Sequence, residues 1–161
     1  MSFESLGDAF SDQNQVETKT FDICGKAIQI FFIDCLVDKQ IFSNAVLNSI
    51  TRASDLLLKT KKVDIFEILE KHIVSTTVVK KVFDKNEALD EIFKGNAIIV
   101  SADYNYCLLV SVAGGMKRAI QEPPTSAVVK GPREGFIEDI HTNKALIRKR
   151  LKTKDLSIIE F

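Results

Sequence analysis

Three short runs, AIQIFFI (residues 27–33), AIIVS (97–101) and CLLVSV (107–112), are apolar at almost every position and rich in β-branched side chains. Runs of this length, bounded by turn residues, read as buried strands rather than as helices. The segments between them carry the helical period. From Asp38 as an N-cap, Phe42, Ala45, Val46, Ser49, Ile50 and Ala53 recur at i, i+3, i+4, i+7, i+8 and i+11, which predicts a helix lying on a sheet. Ile65, Phe66, Ile68, Leu69 and Ile73 predict a second, shorter helix. Asn86 is positioned to cap a third, NEALDEIFK, which Gly95 ends. Residues 16–24 and 27–33 pair as a hairpin around Gly25, 97–101 and 107–112 pair as another, and 76–83 add a strand. The expected fold class is therefore α/β (α+β), a mixed sheet with hairpins and helices packed on it.

Composition limits the function classes. The 161 residues are 45% hydrophobic and 27% charged, as in ordinary globular domains. With 22 basic and 22 acidic residues, no global field draws the chain to nucleic acid. Residues 104–116, the longest uncharged stretch, are too few to span a bilayer. Residues 1–15 read as a polar lead-in and not as a signal peptide. Cys24, Cys35 and Cys107 have neither metal-site nor redox spacing and read as reduced core thiols.

Catalytic and cofactor patterns are missing. His72 reads as a helix-end cation, and His141 stands beside Asp139 with Glu138 three residues before it. Neither lies in a metal-ligating pattern, and no nucleophile elbow, P-loop or dinucleotide motif is present. No enzyme, cofactor or metal site is expected.

Two segments carry more character. Residues 144–154, KALIRKRLKTK, hold six cations and no acid. Part of that charge answers a helix C-terminus, and Arg148, Lys149, Arg150 and Lys152 form a candidate lipid-facing patch. Upstream, Pro123 and Pro124 force an extended entry, and Pro132 after Gly131 predicts the start of a long helix from Arg133 to about Leu151. Phe136, Ile140, Asn143, Ile147 and Leu151 would form one face of that helix. Residues 155–161, DLSIIEF, read as a strand and suggest a piece of a longer polypeptide.

In those residues, EPPTSAVVKGPREGFIEDIHTNKALIRKRLK closely resembles the signature of the A subunit of spore germinant receptors, the GerA family. The matching positions are Arg118, Glu122-Pro123, Gly131 to Glu134, Phe136, Glu138, Thr142-Asn143, Leu146 to Arg148 and Arg150-Leu151. A second segment, FFIDCLVDKQ (residues 31–40), is similar to a family motif that usually has glycine where Cys35 stands here. The resemblance implies a polar lead-in (1–15), a first α/β subdomain (16–121) resembling half of a transporter substrate-binding protein, and a joint, helix and strand of a truncated second subdomain (122–161).

It also implies a non-enzymatic part in nutrient sensing and signalling, with receptor B and C subunits as partners. The full-length protein would lie in the spore inner membrane through a transmembrane block outside these residues, with this part on the core side. Stage V sporulation protein AF shares the region. Glu122, Arg133, Glu134 and Asn143 are the candidate coupling residues. Gly114, Gly115 and Gly131 are candidates for lining a small-nutrient site.

Overall fold

The structure is a computed structural model that describes residues 16–59, 64–74, 77–114 and 136–151, with 153, 156 and 158 singly. β1 (Glu17–Ile23) and β2 (Lys26–Phe32) form the expected hairpin. Its two-residue turn puts Cys24 at φ 54° and Gly25 at φ 81°, the positive values that a primed hairpin turn requires. The Asp22 carboxylate accepts from Gly25 N at 2.9 Å. Cys24 is consequently exposed on the turn and is not a core thiol.

After β2, Asp38 caps α1 (Lys39–Phe42) by accepting from the amides of Gln40 and Ile41. α1 runs through a π-helical turn (Ser43–Leu47) into α2 (Asn48–Lys59). The six-residue stripe read from the sequence is buried throughout. α3 (Ile65–Val74), β3 (Val79–Val82), α4 (Lys85–Phe93), β4 (Ala97–Ser101) and β5 (Cys107–Val110) follow, and α5 (Ile140–Arg150) comes last. α4 starts earlier than expected. Asp84, extended at φ −99°, accepts from Glu87 N, so the cap is Asp84 and not Asn86. Gly95 closes the helix at φ 93°.

The five strands lie in the order β1-β2-β4-β5-β3, and every pair is antiparallel. Their alternation divides the core into two layers. Ile28, Ile30 and Phe32 of β2, Ala97 and Ile99 of β4, and Leu108 and Val110 of β5 meet the helices from α1 to α3. Phe31, Ile98, Val100 and Cys107 point to the other face and meet Ala88, Ile92 and Phe93 of α4. Helices on both faces explain why all five residues of β4 are buried and why its sequence does not alternate. Among the described residues no helix is long and apolar enough to cross a membrane.

The C-terminal helix departs from expectation. Phe136 to Asp139 are not helical, and Asp139 is the N-cap, accepting from the amides of His141 and Thr142 and from the Thr142 hydroxyl. α5 therefore begins at Ile140. Of the five residues expected on one face of that helix, Asn143 and Ile147 are partly buried and the other three are exposed. Phe136 is 70%, Ile140 57% and Leu151 53% exposed, while Ala145, Leu146 and Arg148 are buried. The polar lead-in, residues 115–135 and most of the expected 155–161 strand lie outside the described residues, and Leu156 and Ile158, which are described, are not in a strand.

Candidate functional site

The turn that follows β2 is held by several backbone hydrogen bonds. Leu36 N donates to Ile33 O, Asp38 N donates to Val112 O at 2.8 Å, and Gly114 N donates to Leu36 O at 2.8 Å. Val37 forms an isolated antiparallel bridge with Ala113. Two glycines allow this close approach. A β-carbon on Gly95 would lie 3.0 Å from Leu36 O, and one on Gly114 would lie 3.1 Å from Asp38 N. The IDCLVD sequence is thus a backbone clamp between the ends of α4 and β5.

One side of that clamp borders a groove of about 420 Å³. Its near wall is the 34–40 turn, including Asp34, Cys35, Asp38 and Lys39. Gly114 lies at its base, and His141, Thr142 and Ala145 of α5 form the far wall. At the rim the Asp34 carboxylate accepts from Lys39 Nζ at 3.0 Å, a hydrogen bond that pushes the Lys39 ammonium above its ordinary pKa. The Thr142 hydroxyl and the two capped amides hold the Asp139 carboxyl below its ordinary range.

Cys35 of the groove wall and Arg148 perturb each other. Burial pushes the Cys35 thiol up, and the nearby guanidinium offsets part of that rise. Burial pulls Arg148 below its ordinary value, since desolvation penalises the charged form. Arg148 is 2% exposed, lies 5.7 Å from the Phe93 ring centroid and donates to Leu156 O at 3.2 Å. It therefore faces inward and is not part of a lipid-facing patch. Lys149 and Arg150 of that patch are exposed, and Lys152 lies outside the described residues.

Asn143 has a defined task. Its Oδ1 accepts from Ile137 N at 2.9 Å and its Nδ2 donates to Ile137 O at 2.6 Å, folding the segment before α5 back on the helix. Gly114 lines the groove. Glu122, Arg133, Glu134, Gly115 and Gly131 lie outside the described residues. Reasoning from composition and spacing missed the groove because its walls come from residues about a hundred positions apart. The available signal was the pair of motif-bearing segments, 31–40 and 142–148, which meet there.

A family model described as Bacillus/Clostridium GerA spore germination protein matches residues 4–161. The chain belongs to the GerA family. Spore germination protein KA of Bacillus subtilis is 30% identical over 130 residues, which cover 80% of this chain and 23% of that protein. Stage V sporulation protein AF of Bacillus subtilis is 25% identical over 146 residues, covering 89% of this chain and 28% of that protein. The chain thus spans about a quarter of the length of these relatives. Among solved structures, the N-terminal domain of the A subunit of the Bacillus megaterium spore germinant receptor GerK3 shares the fold. Its TM-score is 0.69 at 21% identity, over 96% of this chain and 55% of that one.

Proposed function

We propose that this GerA-family chain is the N-terminal part of a spore germinant receptor A subunit and that it relays conformational change in nutrient sensing. The observation that carries this reading is that residues 34–40 of the first signature segment and Thr142 and Ala145 of the second line one groove. Two segments about a hundred positions apart that line one groove are placed to act on each other. The role is non-enzymatic. Its partners are the receptor B and C subunits, and the full-length protein sits in the spore inner membrane with this part on the core side. Glu122, Arg133, Glu134 and Asn143 form the polar joint of the relay.

Arg133→Glu is the test. The chain is expected to remain folded by circular dichroism, while spores carrying the substitution in the native gene germinate poorly. Normal germination of those spores would remove Arg133 from the relay.

The groove supports a second reading, a small-molecule-binding module of the substrate-binding-protein type. Its volume of about 420 Å³ and its rim of Asp34, Lys39, His141 and Thr142 suit a compact polar solute. A ligand that binds only the folded state raises the melting temperature by mass action. No shift of the GerA N-terminal region with amino acids or inosine at saturating concentration would reject this reading. A role like that of stage V sporulation protein AF is distinguished by deleting the gene and asking whether the response to a single germinant, or to all of them, is lost.

A further inference from the structure

α5 carries apolar side chains on two opposite sides. Its docked side is Ala145 and Leu146, buried together with Arg148 against the rest of the fold. At about 100° per residue, Ile140, Ile147 and Leu151 fall on the other side, within about 40° of one another. Ile140 and Leu151 are more than half exposed there, and so is Phe136 just before the helix. A helix that is apolar on both sides has a second surface to bury besides the one its own fold covers. Cations accompany that second surface. Lys144 lies on it between Ile140 and Ile147, and Lys149 and Arg150 are exposed at its C-terminal end. Residues 140–154 hold six Lys or Arg and no Asp or Glu, in a chain whose 22 basic and 22 acidic residues cancel. Glu138 and Asp139 stand at the opposite end, where the Asp139 carboxylate is engaged as the α5 cap. An apolar protein surface would match the stripe alone. A lipid surface, anionic outside and apolar beneath, matches the stripe and the cations together.

We propose that the outer side of α5 is a membrane-surface contact, in which Ile140, Ile147 and Leu151 enter the boundary between headgroups and acyl chains of an anionic bilayer while Lys144, Lys149 and Arg150 meet the lipid phosphates. Eleven helical residues are about 16 Å long against ~30 Å of hydrocarbon, so α5 lies along the bilayer surface and does not cross it. Its Leu151 end sits deeper than its Ile140 end, because the anionic surface repels Glu138 and Asp139 and attracts Lys149 and Arg150. His141, Thr142 and Ala145, which line the 34–40 groove, are on the docked side, so groove and membrane occupy opposite sides of one helix. Such binding belongs to α5 itself and does not depend on the receptor role.

Vesicle co-sedimentation of the full chain tests it, with vesicles of phosphatidylcholine alone and of phosphatidylcholine and phosphatidylglycerol in equal parts. The chain is expected to bind the mixed vesicles and not the neutral ones, and to bind less as salt screens the lipid charge. Ile140→Ser with Leu151→Ser keeps the charge and should weaken binding at least about tenfold, since two apolar side chains no longer leave water. Lys149→Gln with Arg150→Gln keeps the stripe and should also weaken it about tenfold or more. Lys26→Gln with Lys71→Gln removes the same charge from exposed positions on other elements and should change binding less than about threefold. Circular dichroism checks the folding of each; should the serine pair fail to fold, the two glutamine pairs and the salt dependence decide the matter. The proposal is overturned if the chain ignores the mixed vesicles, if the folded serine pair binds as the parent does, or if the Lys26 and Lys71 pair loses as much binding as the Lys149 and Arg150 pair. A dimer in sedimentation equilibrium that the serine pair dissolves would also overturn it, by giving the stripe to a second copy of the chain.

Discussion

Alanine at Gly25, Gly114 and Gly95 separates backbone strain from crowding at the groove wall. Gly25 has φ 81° and no atom within 4 Å of where a methyl would stand, so its substitution meets strain alone, about 1–2 kcal/mol. Gly114 has no left-handed requirement, but a methyl there would sit 3.1 Å from Asp38 N and 3.3 Å from Leu36 O and from the Val37 carbonyl carbon. All three contacts are backbone, and the turn that bears them is pinned by hydrogen bonds to Val112 and Gly114. It cannot yield cheaply, so the cost is that of overpacking, about 1–3 kcal/mol. Gly95 combines φ 93° with a contact 3.0 Å from Leu36 O, and the two costs together come to about 2–5 kcal/mol. Urea unfolding reads each as a lower midpoint at constant slope. The melting temperature should fall about 2–4 °C for each kcal/mol in a chain of this size. Gly95→Ala should be the most damaging. The reasoning is refuted if Gly25→Ala destabilises most, or if Gly114→Ala lies within about 0.5 kcal/mol of the parent, the range of an ordinary surface change.

Three further outcomes follow from other parts of the fold. Burial and the hydrogen bond to Asp64 at 2.6 Å raise the Tyr104 phenol well above its ordinary value. Its contribution is therefore complete below about pH 10, where the unfolded phenol ionises, and is lost as pH rises further; Tyr104→Phe should flatten the alkaline limb of a stability–pH curve. Asn143→Ala removes two hydrogen bonds to Ile137, each worth about 0.5–1.5 kcal/mol, and should speed hydrogen exchange at 137–143 while leaving β4 unchanged. With a maleimide, Cys24 should react first and Cys35 more slowly, while Cys107, buried and pushed up to about 12, should react only on unfolding, as peptide mapping of a labelling time course would show.

The elements that were legible in the sequence are those whose signal is local. The stripe from Phe42 to Ala53 obeyed the helical period, and all of it is buried. Gly25 and Gly95 marked a turn and a helix end because the backbone there takes positive φ. β4 and β5 were readable as buried runs. Local signals failed where tertiary contacts decide. The sequence points to one long helix from Arg133, yet Phe136 to Asp139 are not helical and α5 starts after Asp139, whose carboxylate caps two amides while Asn143 ties back the residues before it. Arg148 stood in a run of cations and read as solvent-facing, but the packing of the helix beside Phe93 and Cys35 turns it inward. Ile140 and Leu151 belong to the one helix face expected from the sequence and are more than half exposed, while Ala145 and Leu146, outside that face, are buried. The groove joins turn and helix across about a hundred residues, so neither segment alone describes it.

The most direct test of the central claim, that the facing signature segments work in germination, uses the rim of the groove. Lys39→Glu and His141→Glu would be placed in the native gene, with Lys71→Glu on α3, which does not line the groove, as the control. Germination would be followed by the loss of optical density after addition of the germinant, with folding of each variant chain checked by circular dichroism. The account predicts folded chains throughout, slowed germination for the two rim variants, and a parental rate for the control. Folded rim variants that germinate at the parental rate would contradict it.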